Sequence, residues 1–145
     1  MSSIEIRVHS TAPVDRVWAL LVDCASWCRW APFEEVAVES RGAAGDLRRC
    51  VSADVTTREL VTATERSRCY EYRHVSGLPV RRYRGEVVLV ADDAGETDIT
   101  WNARFVPLLA DTEDVLRCVL EGVIARAATG LARAAEAGST AVVSP

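Results

Sequence analysis

"CYEYRHVSGLPVRRYRGEVVL", residues 69–89, decides how the chain folds, because it alternates on both sides of one short turn. Successive side chains of an extended strand point to opposite faces, so Tyr70, Tyr72 and His74 share one face while Glu71 and Arg73 share the other. The two charges belong in water. The aromatic and titratable groups therefore face inward, where a half-buried antiparallel sheet ordinarily carries plain aliphatics. After "SGLP" the alternation resumes, with Arg82, Arg84 and Glu86 outward and Tyr83, Gly85, Val87 and Leu89 inward. All three tyrosines point one way. Arg81 shares their parity at the start of its strand, which places it at a mouth.

The same texture extends in both directions. From residue 34 to about 107 the runs "VAVES", "DLRRCV", "TRELVTA", "CYEYRHV", "YRGEVVLV" and "TDITWNARFV" are separated by "RGAAGD", "SAD", "ERS", "SGLP" and "DDAGE". Connections this short predict an antiparallel meander. In "DITWNARF", Ile99, Trp101, Ala103 and Phe105 go inward. "DVTTRELVTA" is less decided: Glu59 shares parity with Val55, Val61 and Ala63, whereas Arg58 travels with Leu60, so Glu59 is expected inside.

Ahead of the meander, "IEIRVHS" reads as a strand with Ile4, Ile6 and Val8 inward and His9 toward solvent. "STAPVDRVWALLVD" predicts a short helix with Pro13 at its start and Val14, Val17, Trp18 and Leu21 on one face. "CASWCRWAPF" predicts a second short turn, stopped by Pro32, in which Trp27 and Trp30 are core anchors. After the meander, "DTEDVLRCVLEGVIARAATGLARAAEAG" predicts a helix of about 26 residues, about 39 Å long, ending before Gly138. Its expected apolar stripe is Leu116, Val119, Leu120, Val123, Ala127, Leu131 and Ala134, and the concave sheet is what that stripe lies against. The fold class is thus α+β: a curved antiparallel sheet wrapped around a long C-terminal helix, with two short helices after the first strand. One domain spans residues 1–138, with a frayed tail over 139–145.

Composition bounds the function. A chain of 145 residues, 49% hydrophobic, supports one core. A net charge of −4 with scattered arginines excludes the clustered positive field that nucleic acids or anionic membranes require. No run approaches a membrane span and the N-terminus lacks a signal-peptide pattern, so a cytoplasmic location without membrane insertion is expected. Five cysteines, at 24, 28, 50, 69 and 118, and two histidines match no zinc spacing, so no metal and no cofactor is expected. Self-association to a homodimer stays open.

The element order, with "APVDRVWALLVD", "WCRWAP", "RELV", "YEYRHVSGLPVRRYRGEV" and "TDITWNARFVP", resembles the SRPBCC superfamily of START-like, birch-pollen-allergen-like and polyketide cyclase/dehydrase proteins over residues 3–137. That resemblance implies a helix-grip fold with a deep apolar cavity. It also implies members that either bind hydrophobic small molecules or catalyse cyclisation, aromatisation or dehydration. Pocket residues vary between subfamilies, so no catalytic set transfers.

Two function classes follow. A cyclase-type enzyme needs a base near pH 7 and a donor for an enolate oxygen. His74 fits the first task, Tyr72, Tyr70 or Tyr83 the second, and Glu59 could orient the imidazole or act as a second base. A non-catalytic binder or carrier of a hydrophobic small molecule or lipid would use the same groups only to orient a ligand. In either case the expected lining is Tyr70, Tyr83, Arg58, Arg81, Val87, Trp101, Ala103, Phe105, Val123 and Ala127. The two classes differ in whether His74, Glu59 and a tyrosine converge around open space or pair elsewhere. A third outcome, a filled core, follows if the large aromatics meet across the middle.

Overall fold

Alternation along the middle of the chain and helical periodicity at its end produce one seven-stranded sheet and one long helix. A computed structural model describes residues 1–141, with side chains through residue 138. The strands are β1 (Ser2–Ser10), β2 (Glu35–Gly42), β3 (Gly45–Ser52), β4 (Val55–Thr64), β5 (Cys69–Ser76), β6 (Val80–Ala91) and β7 (Thr97–Pro107). The helices are α1 (Val14–Val22), α2 (Trp27–Trp30) and α3 (Glu113–Ala141), with single 3₁₀ turns at Cys24–Ser26 and Ala110–Thr112. The sheet is antiparallel throughout, in the order β1-β7-β6-β5-β4-β3-β2. This is the helix-grip architecture, and the two short helices lie where the sequence predicts them.

Three irregularities bend the strands, between Val38 and Ser40, Arg58 and Glu59, and Val80 and Arg82. The middle one fixes the undecided parity of β4. Glu59 is buried, while Arg58 turns outward and donates from Nε to Glu39 at 2.7 Å. The Arg58–Glu39 pair is solvent-exposed and holds the Glu39 carboxyl below its ordinary range.

Helix α3 lies over β1 and β7 and against α1 and α2. Its buried face is Leu120, Ile124, Ala127, Ala128, Leu131, Ala132 and Ala135. The predicted stripe is rotated from this: Val119 is 55% exposed and Ile124 takes the inner position. Small residues set how close the helix comes. A side chain at Gly130 would meet the Trp30 carbonyl oxygen at 1.9 Å, so glycine is what lets α3 rest on α2.

The helix also continues through Gly138 to Ala141 instead of stopping before the glycine. Glycine costs a helix interior only about 1 kcal/mol, and packing along the rest of α3 outweighs it. Of the expected frayed tail, residues 139–141 are thus helical and 142–145 lie outside the described residues.

Candidate functional site

Strand β3 brings in the group on which the interior turns. In "DLRRC" two arginines are adjacent, so a strand must send one to each face; Arg49 stays outside and Arg48 goes in, only 3% exposed. Register then aligns three polar side chains across the inner face, since Arg48 sits opposite Glu59 and Glu59 opposite His74. Arg48 and Glu59 form a buried ion pair between Nη2 and Oε1. Arg48 Nη1 donates to the Tyr70 hydroxyl at 2.8 Å, and the guanidinium lies 4.3 Å over the Trp27 ring. Burial opposes its charge, but Tyr70, Glu59 and Cys50 more than offset that and hold the group protonated. Arg48 Nε alone, among buried side-chain polar atoms of the described residues, has no hydrogen-bond partner.

The remaining inward groups are paired with one another. Tyr72 and Tyr83 share a hydrogen bond at 3.0 Å, and Trp101 Nε1 donates to the Tyr72 hydroxyl at 3.0 Å. The rings of Trp27, Tyr72, Tyr83 and Trp101 lie edge-on or tilted, 5.6 to 6.4 Å apart along the cluster. Burial pushes all three phenols up, Tyr72 to about 12, so they are neutral donors at pH 7. Gly85 makes room for this arrangement: a side chain there would strike the Tyr72 ring at 1.9 Å.

His74 is half-buried and serves its own turn. Gly77, at φ +110°, folds the β5–β6 connection so that the Leu78 N–H reaches back to His74 Nε2 at 3.1 Å. Nε2 is therefore an acceptor and the ring proton sits on Nδ1. Burial lowers the imidazole below its ordinary range, with Glu59 and the Ser76 backbone opposing.

Within the grip, open space lies at one end. A hollow of about 170 Å³ lies between β2–β5 and the end of α1, with aliphatic wall from Val22, Val38, Val61 and Ala63. Arg48 and Tyr70 are its polar groups beside Asp46 and Cys24. Burial raises the Cys24 thiol, and raises the nearby Cys50 thiol to about 11, so neither is a nucleophile at neutral pH. A larger groove of about 670 Å³ runs over the outer side of the sheet among Glu71, Arg84, Glu86, Asn102, Arg104 and Arg117, and its charged lining does not suit an apolar ligand.

The expected lining is therefore redistributed. Of those residues only Tyr70 borders the hollow; Tyr83, Val87, Trp101, Ala103, Phe105 and Ala127 are packed in the core, and Val123 is half-buried on α3. Arg81 is exposed and Arg58 faces outward. The deep central cavity expected for the fold is occupied by aromatic side chains that do meet across the middle. Sequence reasoning passed over Arg48, although its signal was available: the "RR" pair within a strand whose next inward position, Cys50, is apolar.

A family model described as polyketide cyclase / dehydrase and lipid transport matches residues 1–136. No curated protein matches the sequence. Among solved structures, the ZhuI aromatase/cyclase from Streptomyces sp. R1128 superposes with a TM-score of 0.78 at 23% identity, over 99% of this chain and 96% of that one. A START superfamily protein from Mycobacterium smegmatis gives 0.79 at 11% identity, over 92% and 97%. The di-domain aromatase/cyclase BexL of the BE-7585A biosynthetic pathway gives 0.76 at 20% identity, covering 92% of this chain and 46% of BexL. At these identities the likeness is one of fold.

Proposed function

The chain belongs to the polyketide cyclase / dehydrase and lipid transport family, and from that premise we propose that it binds a small apolar molecule by a carbonyl oxygen, held at Arg48 in the hollow beside β2–β5. The observation that carries this reading is a buried guanidinium with one unsatisfied N–H, bordering a hollow walled by valines and an alanine with Tyr70, Asp46 and Cys24 as its other polar groups. An unpaired buried donor costs about 1–3 kcal/mol, and a ligand oxygen removes that cost. Glu59 already balances the charge of Arg48, so a neutral keto or ester oxygen fits better than a carboxylate, which would place a second anion beside Glu59. The Tyr70 hydroxyl accepts from Arg48 and so keeps its own proton to donate. A volume of about 170 Å³, below the ~300 Å³ of ordinary ligand pockets, suits a ligand of one or two rings.

Binding without catalysis is the first reading because His74, Glu59 and Tyr72 are each committed elsewhere: to the Leu78 N–H, to Arg48, and to Tyr83 and Trp101. The placement of His74 directly across from Glu59 favours one second reading, cyclase/dehydrase-type chemistry on a keto intermediate. There His74, released from Leu78, takes a proton next to the carbonyl; the electron pair moves onto the oxygen held by Arg48 and Tyr70, and the enolate then condenses or loses water.

Calorimetric titration with indanone, a benzo-fused cyclic ketone, tests the shared part of both readings. Wild type should take up one equivalent. Ala63→Trp, which fills the hollow from an exposed position, should abolish uptake, and Arg48→Met with Glu59→Leu should weaken it at least tenfold. His74→Ala should bind as wild type does, while losing any turnover. Unchanged uptake in Ala63→Trp would overturn the site.

A further inference from the structure

Away from the hollow, on the outer corner where β1 meets the β6–β7 hairpin, a histidine is ringed by carboxylates. His9 lies opposite Asp98 in the β1–β7 register, and its Nδ1 is 2.9 Å from Asp98 Oδ1. The other ring nitrogen, Nε2, stands 2.8 Å from Glu96 Oε1 and 3.9 Å from Asp92 Oδ2. Asp92 is held from behind: its Oδ1 accepts the N–H groups of Ala94 and Glu96, each at 2.9 Å, leaving Oδ2 for the corner.

We infer that His9 Nε2, Asp92 Oδ2 and Glu96 Oε1 form a three-ligand site for a divalent transition metal of the zinc or nickel class, with Asp98 as the outer partner of the imidazole. The spacing fits. All the donor atoms lie within 4.8 Å of one another, and bonds of about 2.0–2.2 Å to a tetrahedral ion separate neighbouring ligand atoms by about 3.3–3.5 Å. The 2.8 and 3.9 Å separations bracket that value, so small side-chain rotations close the site.

The tautomer fits as well. Asp98 accepts Nδ1–H, and once the ion displaces the Nε2 proton now donated to Glu96, the Nε2 lone pair is free for it, an arrangement that fixes ring orientation and raises ligand basicity. One imidazole among carboxylates selects transition metals over calcium or magnesium, which take oxygen donors only. Charge points the same way: Asp92, Glu96 and Asp98 place three anions around one imidazolium, and a dication that replaces its Nε2 proton compensates one more of them.

The sequence reading missed this cluster because it weighed cysteine and histidine spacing, whereas here two ligands are carboxylates and the third is more than 80 residues away along the chain. Three protein ligands leave a fourth position for water or for a side chain from another molecule. Bound metal would clip the edge strand β1 to the hairpin.

The test uses the full-length protein after chelator treatment, with Cys28→Ser and Cys118→Ser introduced to remove the two exposed thiols as competing zinc ligands. Titration with zinc chloride should show one equivalent bound, with the His9 ring resonances shifting in heteronuclear NMR. His9→Ala should abolish that equivalent. Asp98→Asn, which keeps the three ligands, should weaken affinity about 10–100-fold, the range for lost outer partners. Absence of zinc uptake would overturn the site, as would uptake that His9→Ala leaves unchanged. Equal affinity in Asp98→Asn would remove the assigned role of Asp98.

Discussion

The two ends of the concave face are built from the same kinds of residue and do opposite things. Under α3, small side chains draw the helix down until Gly130 touches the Trp30 carbonyl, and Trp101, Tyr72 and Tyr83 satisfy one another's polar atoms. That end is solid. Beyond the reach of α3, β2–β4 curl past the end of α1 with valines and an alanine for wall, and among the polar groups there, beside Tyr70, Asp46 and Cys24, is a charged pair with one donor unsatisfied. A closed hydrogen-bond network fixes packing, whereas the unmet Arg48 donor leaves the other end one bond short.

The sharpest way to break this contrast is at the ion pair. Arg48→Met leaves Glu59 buried without its partner and should destabilise the fold by about 3–5 kcal/mol, measured by urea unfolding. Adding Glu59→Leu should restore most of that loss while ketone uptake stays weakened at least tenfold, since the pair is then replaced by apolar groups of similar size. If the double variant remains as unstable as the single one, the ion pair is not what holds this end.

A smaller effect belongs to the solid end. Gly130→Ala drives a methyl into the Trp30 carbonyl and should cost about 1–3 kcal/mol of stability, with ketone uptake retained once the protein is folded. Smaller again, Tyr72→Phe leaves the Tyr83 hydroxyl and the Trp101 N–H without their shared partner. About 1–2 kcal/mol should be lost in thermal or urea melts with no change in uptake. Loss of binding in Tyr72→Phe would move the site to the centre of the grip.

The smallest effect is a pH dependence. Burial places the folded His74 below the 6.5 of an unfolded histidine. Above that pH both states are neutral and His74 contributes no slope; as pH falls through 6.5 the unfolded chain takes up the proton first, so stability declines toward the lower folded value. Wild type should therefore lose more stability than His74→Asn between pH 7 and pH 5, and parallel losses would refute the assignment.

Much of this architecture is legible in the residues. Period-two runs and short separators locate the strands of the meander, and parity alone turns Tyr70, Tyr72 and Tyr83 inward. What parity lacks is depth. It cannot tell a residue that borders a hollow from one packed solid, which is why Trp101, Phe105 and Ala127 read as lining while lying in the core. His74 shows a second limit: its partner is the Leu78 N–H, brought back by a turn whose geometry depends on Gly77. Arg48 shows a third, since a buried arginine runs against the composition rule and becomes reasonable only once Glu59, Tyr70 and Trp27 surround it.

The most direct measurement follows the Arg48 Nε–H resonance by heteronuclear NMR during titration with indanone, alongside the Trp101 indole N–H as a reference for the solid end. Seating of the ketone oxygen at Arg48 predicts a saturable downfield shift of the Arg48 signal with the Trp101 signal unmoved. A shift at Trp101 while Arg48 stays fixed would contradict it.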